Sequence, residues 1–219
     1  NAYRNSLTMA AWCALIGALL TFAGAYWLEK TRGADLVRPI VRLQAMLPMA
    51  IPGLVLGIGY ILFFNHPANP LNVLYGTMGI LVLSTIVHFY SSSHLTAVTA
   101  LKQLDNEFES VSASLKVPFY KTFWRVTVPV CLPSIIDISR YYFVNAMTTI
   151  SAVVFLYSPK TMLAAISILQ LDEAGAIGSA AAMATLIVVT SGVVTLLSFA
   201  VEGWLLRRTQ GWRRAAPTR

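Results

Sequence analysis

Residues 101–134 read LKQLDNEFESVSASLKVPFYKTFWRVTVPVCLPS and separate two apolar stretches, each long enough to cross a membrane. The segment mixes acids, bases, serines and prolines, yet it keeps helical spacing. Leu104, Phe108, Val111 and Leu115 fall at i, i+4, i+7 and i+11, one apolar stripe on a helix over 103–115. Asp105, Glu107 and Glu109 crowd its first turns, where the helix dipole favours acids. Pro118 disfavours helical geometry at Val117 and ends the element. A second amphipathic piece over 119–128 leads through Pro129 and Pro133 into the next apolar run. The pattern predicts helix, break, helix, then membrane. A structured polar loop at a bilayer surface is a place for a soluble partner to dock, although a solvated or interfacial segment without a partner has the same composition.

The rest of the chain is greasy. Of 219 residues, 57% are hydrophobic and only 11% are charged, against about 25% charged in soluble domains. Too little polar surface exists to cover a water-soluble globule, so the solvent is lipid. The net charge of +7 then reflects basic loops that orient a membrane protein, not nucleic-acid binding. Cys13 and Cys131 stand far apart in apolar or interfacial settings and suggest neither a disulfide framework nor a metal site.

A hydrocarbon core about 30 Å thick needs about 20 helical residues. Five runs qualify, over 7–28, 43–64, 71–90, 135–157 and 179–201. Each is expected to be helical, because a lipid-exposed backbone must satisfy its polar groups within its own segment. The basic residues cluster in the 29–42 link, the 101–134 loop and the C-terminal tail, which hold thirteen of the 16 Lys and Arg. The positive-inside rule places all three in the cytoplasm. Five spans then put Asn1 outside. An outside start without a signal sequence, and without Met, leads us to expect a fragment lacking at least one preceding helix.

Several constellations could serve a pathway. Pro48 and Pro52 should bend the second span, and Gly53 with Gly57 forms a GxxxG face for close helix approach. Asp137 and Arg140 share a helical face and could pair. Asn145, Thr148 and Thr149 lie deeper in the fourth span, where polar groups line water-filled paths or bond between helices. Between the last two spans, Met162 to Leu171 could form a short helix at the outer surface, ended by Asp172, Glu173 and Gly175. His88 and His94 flank a run of serines, but no G-x-S-x-G elbow accompanies them. No phosphate-binding G-x-x-x-x-G-K-[ST] is present either, so the chain shows no ATPase motif.

On these residues the 101–134 loop resembles the EAA loop of binding-protein-dependent ABC importer permeases. Aligned on KTFWRVTVPVCLP, residues 121–133, Ser110, Val111 and Ser112 take the E-A-A positions and Lys116 stands where the family has glycine. Ser114, Leu115, Thr122, Phe123, Arg125, Val126 and Pro129 match downstream, and Glu109 can supply the acid one residue early. A lysine in the left-handed conformation that the glycine serves would cost about 1 kcal/mol. LPMAIPGLVLGIGY, residues 47–60, is similar to the Pro- and Gly-rich span of such permeases. The resemblance covers nearly the whole chain and is greatest to the C-terminal module of 2-aminoethylphosphonate, iron(III) and polyamine permeases.

The resemblance implies an all-α, polytopic type I permease core in the bacterial inner membrane, with about five transmembrane helices and a cytoplasmic coupling helix. It needs no cofactor and has no enzymatic site of its own. Expected partners are ABC ATPase subunits, a second permease module, a periplasmic solute-binding protein and lipid, with no nucleic acid. Leu104, Glu107, Phe108, Glu109, Val111, Ser112, Leu115 and Lys116 would couple to the ATPase. Pro52, Gly53, Gly57, Asn145, Thr148 and Thr149 would line or gate the pathway, and Met162, Leu171 and Asp172 would meet the binding protein. An intramembrane enzyme using His88 and His94, or a non-transport subunit or channel, are the alternatives.

Overall fold

A computed structural model describes residues 1–30, 37–104, 111–112 and 114–209. The first apolar run forms one long helix, α1, Ala2–Lys30. It contains a π turn at Cys13–Gly17. At Gly17 the ring of Tyr142 lies so close that a Cβ would come within 2.9 Å of it. The absent side chain lets the helix carrying Tyr142 press against α1.

The second run is not a single helix. It forms α2, Arg38–Ala50, and α3, Gly53–Phe64, which meet at 107°. Ile51 and Pro52 between them are extended. Pro52 offers no N–H to the ladder and holds Ile51 out of helical geometry. The expected proline bend is therefore a sharp elbow, which divides the 43–64 run between two helices.

The third run is shifted. A 3-10 turn, Pro70–Leu74, occupies its start, capped by the Asn69 side chain, which accepts from the Leu71 N–H. Helix α4 then runs Met78–Lys102, beyond the expected end at residue 90. The next helix, α5, covers 119–148 without a break. Its π turn at Phe123–Thr127 sends the Val128 N–H back to the Phe123 carbonyl, five residues earlier. The wider turn sits beside Pro129, whose ring would crowd the carbonyl four residues before it in a regular helix. Two expectations are corrected here. The 119–128 piece and the fourth span are one helix, and that helix ends at Thr148, not Tyr157.

Residues 151–156 form turns despite their apolar composition. Ala152, Val153 and Leu156 are fully buried, and the Ser84 hydroxyl donates to the Ala152 carbonyl at 2.8 Å. Non-helical backbone at membrane depth is tolerated where protein surrounds it. Helix α6, Ala164–Glu173, begins two residues later than expected. It closes as the sequence predicts, through Gly175 at φ +75°. The Ala176 N–H reaches the Leu171 carbonyl at 2.8 Å and the Gly175 N–H the Asp172 carbonyl at 2.9 Å. This is a Schellman closure, for which glycine is the favoured residue. Helix α7 runs Ile177–Thr209.

Helices α1, α4 and α5 share the core, through Met9, Cys13 and Phe22, Ile80 and Ile86, and Ile138, Tyr142 and Met147. In lipid such packing stabilises through van der Waals contact between helices and through the hydrogen bonds of the cluster's polar centre. There the Tyr142 hydroxyl bonds the Thr21 hydroxyl at 2.9 Å and donates to the Ile86 carbonyl at 3.4 Å. The elbow pair leans on α4, and α7 packs on α5 and α6. By length and hydropathy, α1 and the Ile177–Arg207 part of α7 can cross a membrane, and the elbow pair makes a third if taken as one span. Five such helices are not found among the described residues; the polar faces of α4 and α5 lower their hydropathy.

Candidate functional site

Two regions carry the expected functional residues. The first is the polar loop. Residues 105–110, including Glu107, Phe108 and Glu109, lie outside the described residues. Leu104 packs against the core, whereas Val111 and Leu115 are 54% and 70% exposed. The anticipated stripe is thus divided between an inner contact and an outer surface. The Val117 N–H reaches the Ser112 carbonyl at 2.9 Å, and Lys116 stands between them at φ +52°. It is the one non-glycine residue with positive φ among those described. That is the left-handed helix end which the glycine of the motif would serve, held here by lysine at a cost of about 1–2 kcal/mol. The Thr122 hydroxyl donates to the Ser112 hydroxyl at 3.0 Å and ties the loop to the first turn of α5.

Around this closure Val117, Phe119, Tyr120 and Trp124 are all exposed. Val111 and Leu115 join them as exposed apolar side chains on this stretch. Beside it, Ala23, Tyr26, Trp27 and Lys30 of α1 and Phe119 and Phe123 of α5 line a cleft. The Tyr26 and Phe123 rings pack at 4.6 Å.

The second region is the elbow. A Cβ on Gly53 would lie 2.5 Å from the Ser151 hydroxyl oxygen and 3.0 Å from His88 Cε1. One on Gly57 would lie 3.3 Å from the Phe155 ring. The GxxxG face therefore receives the 151–155 turn and, at Gly53, His88 of α4. Pro52 sits at the break itself. Asn145 and Thr148 bond carbonyls of their own helix, at Tyr141 and Val144, and Thr149 is buried at the helix end. Sequence reasoning missed the Ser91 hydroxyl. It accepts from the Met49 N–H at 3.2 Å and donates to the Ala45 carbonyl at 2.7 Å. A serine on an apolar helix gives no sign of which backbone it will meet.

Other residues singled out in the sequence lie as follows. Arg140 Nη2 bonds Asp137 Oδ1 at 2.6 Å, and its guanidinium lies 4.3 Å above the Phe199 ring of α7. His94 is buried and stacks on Tyr90 at 5.4 Å. Both cysteines are free, and no metal-binding group of His, Cys, Asp and Glu occurs among the described residues. At the N-terminal end of α1, Asn5 Nδ2 donates to the carbonyls of Lys160 and Met162, and the Ala164 N–H donates to the Ser6 hydroxyl. Met162 and Leu171 are half-buried and Asp172 is exposed. The start of α1 thus fixes the entry to α6.

Residues 17–210 match the family of binding-protein-dependent transport system inner membrane components. The ferric transport system permease protein FbpB of Actinobacillus pleuropneumoniae is 31% identical over 204 residues, covering 89% of this chain and 29% of that protein. A permease named for 2-aminoethylphosphonate transport, PhnV of Salmonella paratyphi A, is 24% identical over 208 residues, covering 90% of this chain and 76% of that one. The chain spans 26% to 38% of the length of three ferric-transport permeases that it matches. A crystal structure of a bacterial ABC transporter involved in the import of the acidic polysaccharide alginate aligns with a TM-score of 0.77 at 17% identity, over 92% of this chain and 77% of that chain. At that identity the likeness concerns the fold.

Proposed function

The chain belongs to the family of binding-protein-dependent transport system inner membrane components, and from that premise we propose that it forms one permease module of an ATP-driven importer. It is a multi-pass protein of the bacterial inner membrane and a transport subunit without catalysis of its own. In the proposed arrangement α4 and α5 cross the membrane with α1, the elbow pair and α7, and residues 101–134 and the C-terminus face the cytoplasm. An ATPase subunit receives the loop. A second module, from a longer chain or another copy, completes the pathway, and a periplasmic binding protein delivers solute near Met162, Leu171 and Asp172.

The carrying observation is the loop end at Lys116, closed like a helix that must stop at a defined point and surrounded by exposed Val111, Leu115, Phe119 and Trp124. The apolar groups supply contact area, and Glu107 and Glu109 supply charge that orients the docked partner. Movement of the docked loop passes directly into α5, since that helix is continuous from residue 119. Alternating access then rocks α5 and the elbow between states. The substrate is a small charged solute; relatives are named for ferric iron and for 2-aminoethylphosphonate. Arg140 is engaged by Asp137 and Phe199, so solute choice rests chiefly with the binding protein. The test is a cysteine at Leu115 in the assembled transporter, which should cross-link to an ATPase subunit. Capture of no ATPase, with the cysteine accessible to a soluble thiol reagent, would reject the docking.

A further inference from the structure

The elbow between α2 and α3 is usually the kind of feature one assigns to proline alone. Pro48 and Pro52 do remove two backbone donors. Yet the rung between them involves a third residue from another helix. Ser91, on α4 and 1% exposed, bonds both members of the 45–49 rung through one hydroxyl, accepting from Met49 and donating to Ala45. A side chain that enters the ladder in this way is a recognised cause of helix bending. Three residues earlier on α4, His88 lies against Gly53 at the start of α3. Residues at i and i+3 lie on one helix face, so α4 holds both arms of the elbow.

We propose that the Ser91 hydroxyl is the positioning group of a hinge at Pro48–Pro52, setting the elbow angle from α4 by standing in for backbone partners as the last turn of α2 opens. The prolines weaken the ladder; the hydroxyl selects the geometry and offers the exposed amide and carbonyl a partner while the arms move. An unpaired buried backbone group is costly, which makes such a substitute partner effective. The role in transport rests on the permease reading above, but the hinge itself does not.

The test is a distance measurement in the assembled transporter. Spin labels replace Leu43 and Leu62, both well exposed on the two arms. A continuous helix would separate these positions by about 28 Å along its axis; the elbow brings them closer. Without nucleotide, the parent protein should give one narrow short-distance population. Ser91→Ala should broaden it and add a longer component, and Ser91→Thr, which keeps the hydroxyl, should restore the short population. Identical nucleotide-free distributions for the parent and Ser91→Ala would overturn the hinge proposal. So would a Ser91→Thr protein that behaves like Ser91→Ala while retaining the parent's thermal stability. The response to ATP is read separately: no shift in the parent on adding ATP counts against the transport reading and leaves the nucleotide-free comparison to decide the hinge.

Discussion

Gly53 and Ser151 touch so closely that a single added carbon on the glycine would reach within 2.5 Å of the serine hydroxyl oxygen. The start of α3 and the turn after α5 are therefore fitted to each other through the missing side chain. Overpacking at such a contact costs about 1–3 kcal/mol. Gly53→Ala should lower the thermal stability of the purified protein accordingly. Gly59→Ala on the same helix, where nothing lies within 4 Å of the added carbon, should leave it unchanged or slightly raised. Equal effects at the two glycines would contradict the fitted contact.

Lys116 makes a second prediction. Its left-handed backbone costs about 1–2 kcal/mol relative to glycine, part of which returns as extra unfolded-chain entropy when glycine is introduced. Lys116→Gly should protect the loop from limited proteolysis at Tyr120 and Phe119. Lys116→Val, with a branched carbon in the same conformation, should expose it. Faster cleavage of the glycine variant would show that the loop end is held by something other than its backbone geometry.

The seam between α5 and α7 gives a third. Arg140 faces the Phe199 ring at 4.3 Å, a cation–π contact of about 0.5–2 kcal/mol. Phe199→Leu should keep most of the apolar contact and lose this part, lowering the melting temperature of the purified protein, while Phe199→Trp should retain it. Arg140→Lys should behave like the leucine variant, since lysine does not stack its charge as a planar group. A lysine variant as stable as the parent would argue that the arginine acts only through Asp137.

How much of this could be read in the residues alone depends on where local chemistry decides the outcome. The end of α6 at Gly175 and the pairing of Asp137 with Arg140 are local events, and the spacing shows them; the left-handed turn at Lys116 followed from the resemblance to a loop motif with glycine at that place. The elbow was half legible: Pro48 and Pro52 announce a bend, but its angle depends on Ser91 and on the turn that seats Gly53. The turn at 151–156 was not legible. AVVFLY continues the apolar run of α5 without proline or glycine, and the helix stops because Ser84 and the surrounding core satisfy an irregular backbone there. Likewise Asn145 and Thr148, candidates for a path lining by depth alone, direct their bonds to their own helix.

The central claim is that the 101–134 loop transmits ATPase movement to the membrane helices. The most direct measurement is ATPase activity of the reconstituted full transporter, with and without solute-loaded binding protein, for the parent and for a variant combining Glu109→Lys with Leu115→Asp. The account predicts that the variant inserts and assembles its permease normally but loses both solute-stimulated ATPase activity and solute uptake. Undiminished solute-stimulated ATPase activity and uptake in that variant would contradict it.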